Sequence, residues 1–556
     1  MRGIQFIQRI FRRRLNRATT ETLDQWRQAT HRHRDELSGE LAHLVSESNQ
    51  TISFGTTRWG QKVALPLDKV AAHSLILGAS GAGKSYESIS LILALLEDPA
   101  LLENLSFGAL DPKNELFHKL VQYLYACLYR LQPGERDRLK RKIAIIDLAN
   151  TEVIAPYNIL ARRDYLPDEV MVANRIDTIS EQFSGLSEVS VRMKMILKYA
   201  LLLLAEYDLP ISFFERICVD SWLLTSLVEQ SKSPQLRDYF LNRFDGESKS
   251  TLLALRQRID ALLMSEGVRL SLSAHSAPDF TMLQDQGAIV LINTAGPSIN
   301  RGVSELLQGL ILSDIKQSVF RRGNPGRKYL WFFDEAQNLY RSPANRNHMV
   351  DLLTMARSFG SFFCLLTQSL TSAVHDQDVL NSILANVRWM VLLRSTLRDA
   401  GLIAPAIHLK GNQPKPKYNP FEETKYLTEP QELQARLNEI PKLPDRLAYC
   451  WLKAHLGEAV QITTPQVPLP HEIAGCSREV FNAFMKTETI GQGIPKAEIV
   501  KMIAERRERL NQLIRPQRRD AGSAESRKTK KSEGSKRLAR ILEEEYAKKK
   551  DVDVQK

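Results

Sequence analysis

Residues 78–85 read Gly78-Ala79-Ser80-Gly81-Ala82-Gly83-Lys84-Ser85, the spacing G-x-x-x-x-G-K-[ST] of a phosphate-binding loop. Each residue type has a chemical reason. Gly78, Ser80, Gly81, Ala82 and Gly83 offer backbone N–H groups that can converge on phosphate oxygens, and a following helix adds the positive end of its dipole. Lys84 brings a charge that reaches β and γ phosphates, and Ser85 brings a hydroxyl suited to Mg2+. The flanks suit this use. Ser74–Leu77 is a short apolar run expected as a buried strand, and Ile89, Leu93 and Leu96 recur behind the loop at helical spacing.

A second apolar run, Tyr329-Leu330-Trp331-Phe332-Phe333, ends in Asp334-Glu335. Behind a phosphate loop, two acids at a strand end divide the work: Asp334 is expected to hold Mg2+ through its water shell, and Glu335 to orient and polarise an attacking water. Such a pair serves hydrolysis rather than binding alone, through positioning and charge stabilisation. Gln368, in Thr367-Gln368-Ser369 after the apolar run Phe362–Leu366, is expected to sense the γ-phosphate or the lytic water. Arg357, a few residues before that run, reads either as a surface arginine at a helix end or as a finger projected into a neighbouring subunit's site.

The elements that must carry these residues are short apolar strands alternating with helices. Further strands are expected at Ser106–Leu110, Ile143–Ile146, Ala288–Ile292, Trp389–Leu393, Leu447–Leu452 and Ala459–Thr463, with a small β region over Ile52–Leu67 turning at Gly55 and Gly60. This rhythm implies an α/β fold with a largely parallel sheet. It is broken by some 140 residues that read as helices only. The expected organisation is a basic helical extension over 1–50, a nucleotide-binding domain over 51–161 and 286–470, an all-helical insertion over 162–285, and a helical, partly disordered basic tail over 471–556. The stretch 410–430, with Pro414, Pro416 and Pro420, reads as a loop whose Lys410, Lys415, Lys417 and Tyr418 form a basic-aromatic set.

The chain has 556 residues, is 43% hydrophobic and carries a net charge of +12. That composition builds real cores and excludes wholesale disorder. The charge sits at the ends. Residues 1–34 hold nine arginines against two acids and residues 515–556 hold fourteen Lys/Arg against eight, so residues 35–514 together are near neutral. Basic ends suit polyanions, nucleic acid or an anionic membrane surface, or serve solubility alone. Residues 1–17 place Ile4, Ile7, Phe11 and Leu15 at helical spacing among six arginines, a basic amphipathic helix suited to a membrane surface, to DNA or to a partner helix. The longest apolar run, Tyr199–Ala205, is far short of a bilayer span. Five cysteines without C-x-x-C spacing argue against a zinc site or disulfide framework and fit a cytoplasmic protein.

Taken together these residues resemble the conjugative coupling proteins of type IV secretion systems (the TraG/TraD-like group), within the FtsK/HerA-like branch of RecA-fold motor ATPases. Leu110-Asp111-Pro112-Lys113-Asn114-Glu115-Leu116 resembles that family's D-P-K-G-E segment, with Asn114 in place of glycine. Pro156-Tyr157-Asn158-Ile159-Leu160 resembles its Y-N-P-L segment, Ala356–Gly360 its R-x-x-G element, and Thr367-Gln368-Ser369 its Q-S motif. The resemblance spans roughly residues 52–464. It implies a RecA-like P-loop ATPase core and a hexameric ring that moves DNA with ATP and Mg2+, the nucleotide lying between subunits. It implies an insertion that receives DNA or its relaxase, and contact with inner-membrane secretion components. Family members carry N-terminal transmembrane helices, and this sequence has none, so a HerA-like motor for DNA processing or defence and a protein-secretion ATPase stand as alternatives.

Overall fold

The computed structural model describes residues 34–522 apart from 163–166, 184–189, 323–325, 372–373, 375, 406, 408–424, 454, 457 and 492, together with positions 24, 28, 31, 32 and 540. The amphipathic reading of 1–17, the basic-aromatic loop and the segment 523–539 lie outside the described residues.

Thirteen strands are described: β1 (Thr51–Thr57), β2 (Lys62–Pro66), β3 (Ser74–Leu77), β4 (Leu105–Asp111), β5 (Ile143–Asp147), β6 (Val153–Ile154), β7 (Ile289–Asn293), β8 (Lys328–Phe333), β9 (Ser361–Thr367), β10 (Trp389–Leu392), β11 (Leu447–Leu452), β12 (Val460–Thr463) and β13 (Ile494–Pro495). Eleven form one sheet in the order β2-β1-β12-β11-β10-β3-β9-β8-β4-β7-β5. From β10 to β5 every pairing is parallel, and from β10 to β2 every pairing is antiparallel. The parallel strands read as unbroken apolar runs because both faces are covered. Alternation then sorts side chains to two cores: Leu75, Leu77, Trp331 and Phe333 enter one, while Ile76, Leu330 and Phe332 enter the other. Gly108 in the middle of β4 makes room for an indole, since a Cβ there would stand 2.3 Å from the Trp331 ring. β3 has β9 on one side and β10 on the other, and the acid-bearing β8 lies one strand beyond β9. This order is an open, largely parallel α/β sheet with the phosphate-loop strand inside it.

Two local expectations are corrected. Gly55 is not a turn: it lies within β1 at a register shift against β2, with φ of 138°. The long helical stretch is preceded by a short strand, β6, which pairs with β13 in a separate two-stranded sheet. Two residues carry no periodicity, so nothing in the sequence marks either strand.

Between β6 and β7 the described chain is helical, from Asp168–Phe183 to Phe280–Gln286. Capping residues mark several of its helix starts: Asp220, Ser233, Asp245 and Asp279 each accept a backbone N–H there. Their apolar faces share one cluster with the sheet. A buried polar clasp ties the base of this region to the helix Arg301–Arg321. Tyr157 Oη donates to Asp314 Oδ2 at 2.9 Å, Arg175 Nη2 donates to Asp314 Oδ1 at 2.6 Å, and Arg175 Nε donates to the Ile159 carbonyl at 3.1 Å.

The described part of the C-terminal segment packs against the body. Ala474 and Phe481 bury against Ala126, and Tyr125 Oη donates to the Glu488 carbonyl. Helix Lys496–Gly522 buries Ile499, and Arg506 Nη1 donates to the Ser273 carbonyl at 3.1 Å. At the other end Leu37, Leu41 and Leu44 bury one face of a helical stretch over 34–46. Among the described residues no helix is long and apolar enough to cross a membrane.

Candidate active site

The loop after β3 is stitched to both neighbouring strands. Gly78 N–H donates to the Thr367 carbonyl at 3.2 Å, and Ala79 N–H donates to the Arg394 carbonyl at 2.6 Å. Gly83 caps the helix Lys84–Glu97 with φ of 111°, and Gly81 has φ of 78°. L side chains avoid this region, so the glycines let the loop curl with its N–H groups inward. Lys84 is buried and its ammonium lies 3.4 Å from the Ala79 carbonyl. Burial lowers its pKa, and the nearby Glu335 and Asp334 act in the opposite sense. Ser85 is half-buried in the first turn of the same helix.

The acids arrive from β8 and β4. Asp334 N–H donates to the Leu110 carbonyl at 3.0 Å, which sets Asp334 beside the end of β4, where Asp111 stands. Burial first, then the charges of Asp111 and Glu335, push the Asp334 carboxyl up to about 7. Asp111 is itself buried and accepts the N–H groups of Lys113 at 2.7 Å and Phe117 at 2.8 Å. Burial raises its pKa against those bonds. Among the described residues no three His, Cys, Asp or Glu side chains group as a metal cage. The Ser85 hydroxyl and the Asp334 carboxyl are oxygen donors of the kind that suit Mg2+, which binds through one or two carboxylates and substrate phosphates while keeping several waters. A dication also relieves the crowding of buried acids.

Glu335 follows with φ of 46°, a left-handed conformation rare outside glycine. It turns the carboxylate toward three donors. Lys113 Nζ and Gln368 Nε2 each lie 2.6 Å from Oε1, and Gln337 Nε2 donates to Oε2. Thr367 Oγ1, 2.7 Å from Gln337 Oε1, fixes that amide. The site thus gathers the carboxyl ends of β3, β4, β8 and β9, where ligands of open parallel sheets bind.

The structure brings Gly78, Ser80, Gly81, Ala82, Gly83, Lys84, Ser85, Asp334, Glu335 and Gln368 to this one end of the sheet. It does not bring Arg357 there. Arg357 lies in a short turn of helix, Ala356–Phe359, ahead of β9, whereas Gln368 follows that strand. Seven extended residues separate their ends by about 20 Å. Asp111 and Lys113 were read from sequence only as part of the D-P-K-like segment, with no role at the site given to them, and Gln337 was not singled out. The first two had a signal, an acid and a lysine directly after an apolar strand. Asn114 continues that turn with φ of 64°, which accounts for the departure from the family's glycine, since asparagine tolerates the left-handed region. Tyr157 and Asn158 of the second resembling segment serve the buried clasp and its turn, far in role from the phosphate loop.

No family model matches the chain, and no curated protein matches it. The chain is similar to conjugative coupling proteins of known structure. The unbound monoclinic form of the bacterial conjugative coupling protein TrwBdeltaN70 is 15% identical with a TM-score of 0.47, covering 78% of this chain and 92% of that one. The plasmid coupling protein TrwB in complex with ADP and Mg2+ is 16% identical with a TM-score of 0.45, covering 77% and 93%. VirB4 of Thermoanaerobacter pseudethanolicus is 15% identical with a TM-score of 0.49, covering 76% and 98%.

Proposed function

We propose that this chain is an ATP-driven motor that translocates DNA, serving conjugative or mobile-element transfer as coupling proteins do. The observation that supports it most is the convergence of Lys113, Gln337 and Gln368 on the Glu335 carboxylate at the strand ends that carry the phosphate loop. A nucleotide switch needs no carboxylate oriented in this way; hydrolysis does. In this reading the backbone of Gly78, Ser80, Gly81, Ala82 and Gly83 cradles the ATP phosphates and Lys84 pairs with the β and γ oxygens. Ser85 and Asp334 hold Mg2+, which neutralises phosphate charge when bound. Glu335 orients and polarises the attacking water, and Gln368 reports on it. Arg357, at the far end of the sheet, acts on a second copy's nucleotide in a ring, a hexamer by the family's example. The helical insertion forms a lobe over 162–285 that receives DNA or its relaxase, and the basic ends recruit DNA or an inner-membrane surface.

The test is ATP hydrolysis by the purified protein with and without single- and double-stranded DNA, beside Lys84→Ala and Glu335→Gln. The expected result is DNA-stimulated hydrolysis abolished by both substitutions. Hydrolysis indifferent to DNA would replace the reading with a protein-secretion ATPase, and absence of hydrolysis in the unsubstituted protein would end it. Deleting residues 515–556 is expected to weaken DNA binding more than basal hydrolysis.

A further inference from the structure

Thr367, the last residue of β9, is 1% exposed and makes connections in two directions. Its carbonyl accepts the Gly78 N–H at 3.2 Å, so its backbone is bonded to the first residue of the phosphate loop. Its hydroxyl lies 2.7 Å from Gln337 Oε1, and the Gln337 amide donates in turn to Glu335 Oε2. The next residue, Gln368, donates to Glu335 Oε1 at 2.6 Å. Two consecutive residues at the end of β9 thus reach both oxygens of one carboxylate, Gln368 directly and Thr367 through an amide.

Valence fixes the sense of the indirect path. An ionised carboxylate only accepts hydrogen bonds, whereas a primary amide donates from its nitrogen and accepts at its oxygen. Gln337 therefore serves Glu335 only with its nitrogen turned to Oε2 and its oxygen turned away. In the reverse orientation two acceptor oxygens face each other. The Thr367 hydroxyl carries one proton, and two acceptors compete for it: Gln337 Oε1 at 2.7 Å and the Ser369 carbonyl at 3.1 Å. Donation to Gln337, the shorter contact, holds the amide oxygen away from Glu335. Donation to Ser369 leaves the hydroxyl able only to accept from Gln337, which draws the amide nitrogen off the carboxylate.

We propose that Thr367 is a positioning residue for hydrolysis: its hydroxyl proton sets the orientation of the Gln337 amide, which aims Glu335 Oε2 at the attacking water. The bond from Gly78 to Thr367 ties this orientation to the loop that takes the phosphates. The proposal rests on the reading of Glu335 in ATP hydrolysis given above, and not on whether hydrolysis moves DNA.

The test is steady-state ATP hydrolysis by the full chain, with DNA added where it stimulates, for Thr367→Val, Thr367→Ser, Gln337→Met, and Thr367→Val combined with Gln337→Met. Valine keeps the branched shape that suits a strand and removes the proton. Thr367→Val is expected to lower kcat about tenfold while KM for ATP moves by less than about threefold. Thr367→Ser, which keeps the hydroxyl, is expected to recover most of that loss, and Gln337→Met to lose at least as much as Thr367→Val. Because Thr367 acts through Gln337, the combined variant is expected to match Gln337→Met within about twofold. Losses that multiply in the combined variant overturn the proposal. So does an unchanged kcat for Thr367→Val or for Gln337→Met, or a serine variant no better than the valine one. Thermal melts check that each variant folds, and Thr367→Ala takes the place of Thr367→Val if the latter does not. Hydrolysis indifferent to DNA removes the translocation reading and leaves this test as it stands. Absence of hydrolysis in the unsubstituted protein overturns both.

Discussion

The ammonium of Lys113 lies 2.6 Å from Glu335 Oε1, joining the loops after β4 and β8 across 222 residues of sequence. Gln368 shares that oxygen and Gln337 holds the other, so both carboxylate oxygens of Glu335 are engaged. Lys113 is the donor with most freedom to leave, its side chain being 44% exposed against 7% for Glu335. Oε2 takes one donor, Gln337, which leaves it a lone pair for a water, and the Lys113 charge on Oε1 holds the carboxylate in place for it.

Lys113→Met is therefore expected to lower kcat about tenfold, within the usual range for a group that positions a general base, while KM moves by less than about threefold. Steady-state ATPase kinetics check this. A rise in KM with kcat unchanged would make Lys113 a nucleotide ligand instead.

Asn114 holds the turn that presents Lys113, at φ of 64°. Asn114→Gly is expected to be nearly neutral. Asn114→Val is expected to lose about 1–2 kcal/mol, the steric cost of the left-handed region for a branched side chain. Urea unfolding measures both, and equal stability of the two variants would contradict the backbone argument.

The Arg175–Asp314 pair is almost fully enclosed, its side chains 1% and 0% exposed. Arg175→Met removes the guanidinium from the Asp314 carboxylate and is expected to cost about 3–5 kcal/mol. Replacing Asp314 by Leu in the same protein should recover part of that loss, because no buried charge is then left behind. Chemical denaturation of the two variants tests the order, and a double variant less stable than the single one would refute it.

His73 gives an acid-side signature. Its folded pKa is pushed down from 6.5 to about 4, chiefly by burial. As pH falls from about 6.5 toward 4 the unfolded chain takes up a proton that the folded chain refuses, so stability falls over that window and levels off below it. The loss is at most about 3 kcal/mol. His73→Gln should flatten this part of the stability–pH curve. An unchanged slope would show that His73 does not titrate there.

Much of the core was legible in order because its signals are local. Seven apolar runs at Ser74, Ser106, Ile143, Ala288, Tyr329, Phe362 and Trp389 became parallel strands within a residue or two at each end, since burial on both faces demands uninterrupted apolar side chains. The phosphate loop was legible for the same reason: eight consecutive residues carry its whole geometry. The two-residue strands β6 and β13 were not, because they offer no period to read.

By itself, then, the sequence determined the longer strands, the phosphate loop and the acids at the end of β8, each a property of a few neighbouring residues. Only the tertiary structure decided which distant residues meet. Sheet order placed Lys113 and Gln368 on one carboxylate. The length and direction of β9 carried Arg357 to the opposite end, beside His73 and Arg388. Packing against Ala126 and the Ser273 carbonyl docked the described part of the C-terminal segment. Pairings across tens to hundreds of residues are set by the order of strands and by the burial it permits, and no local spacing encodes them.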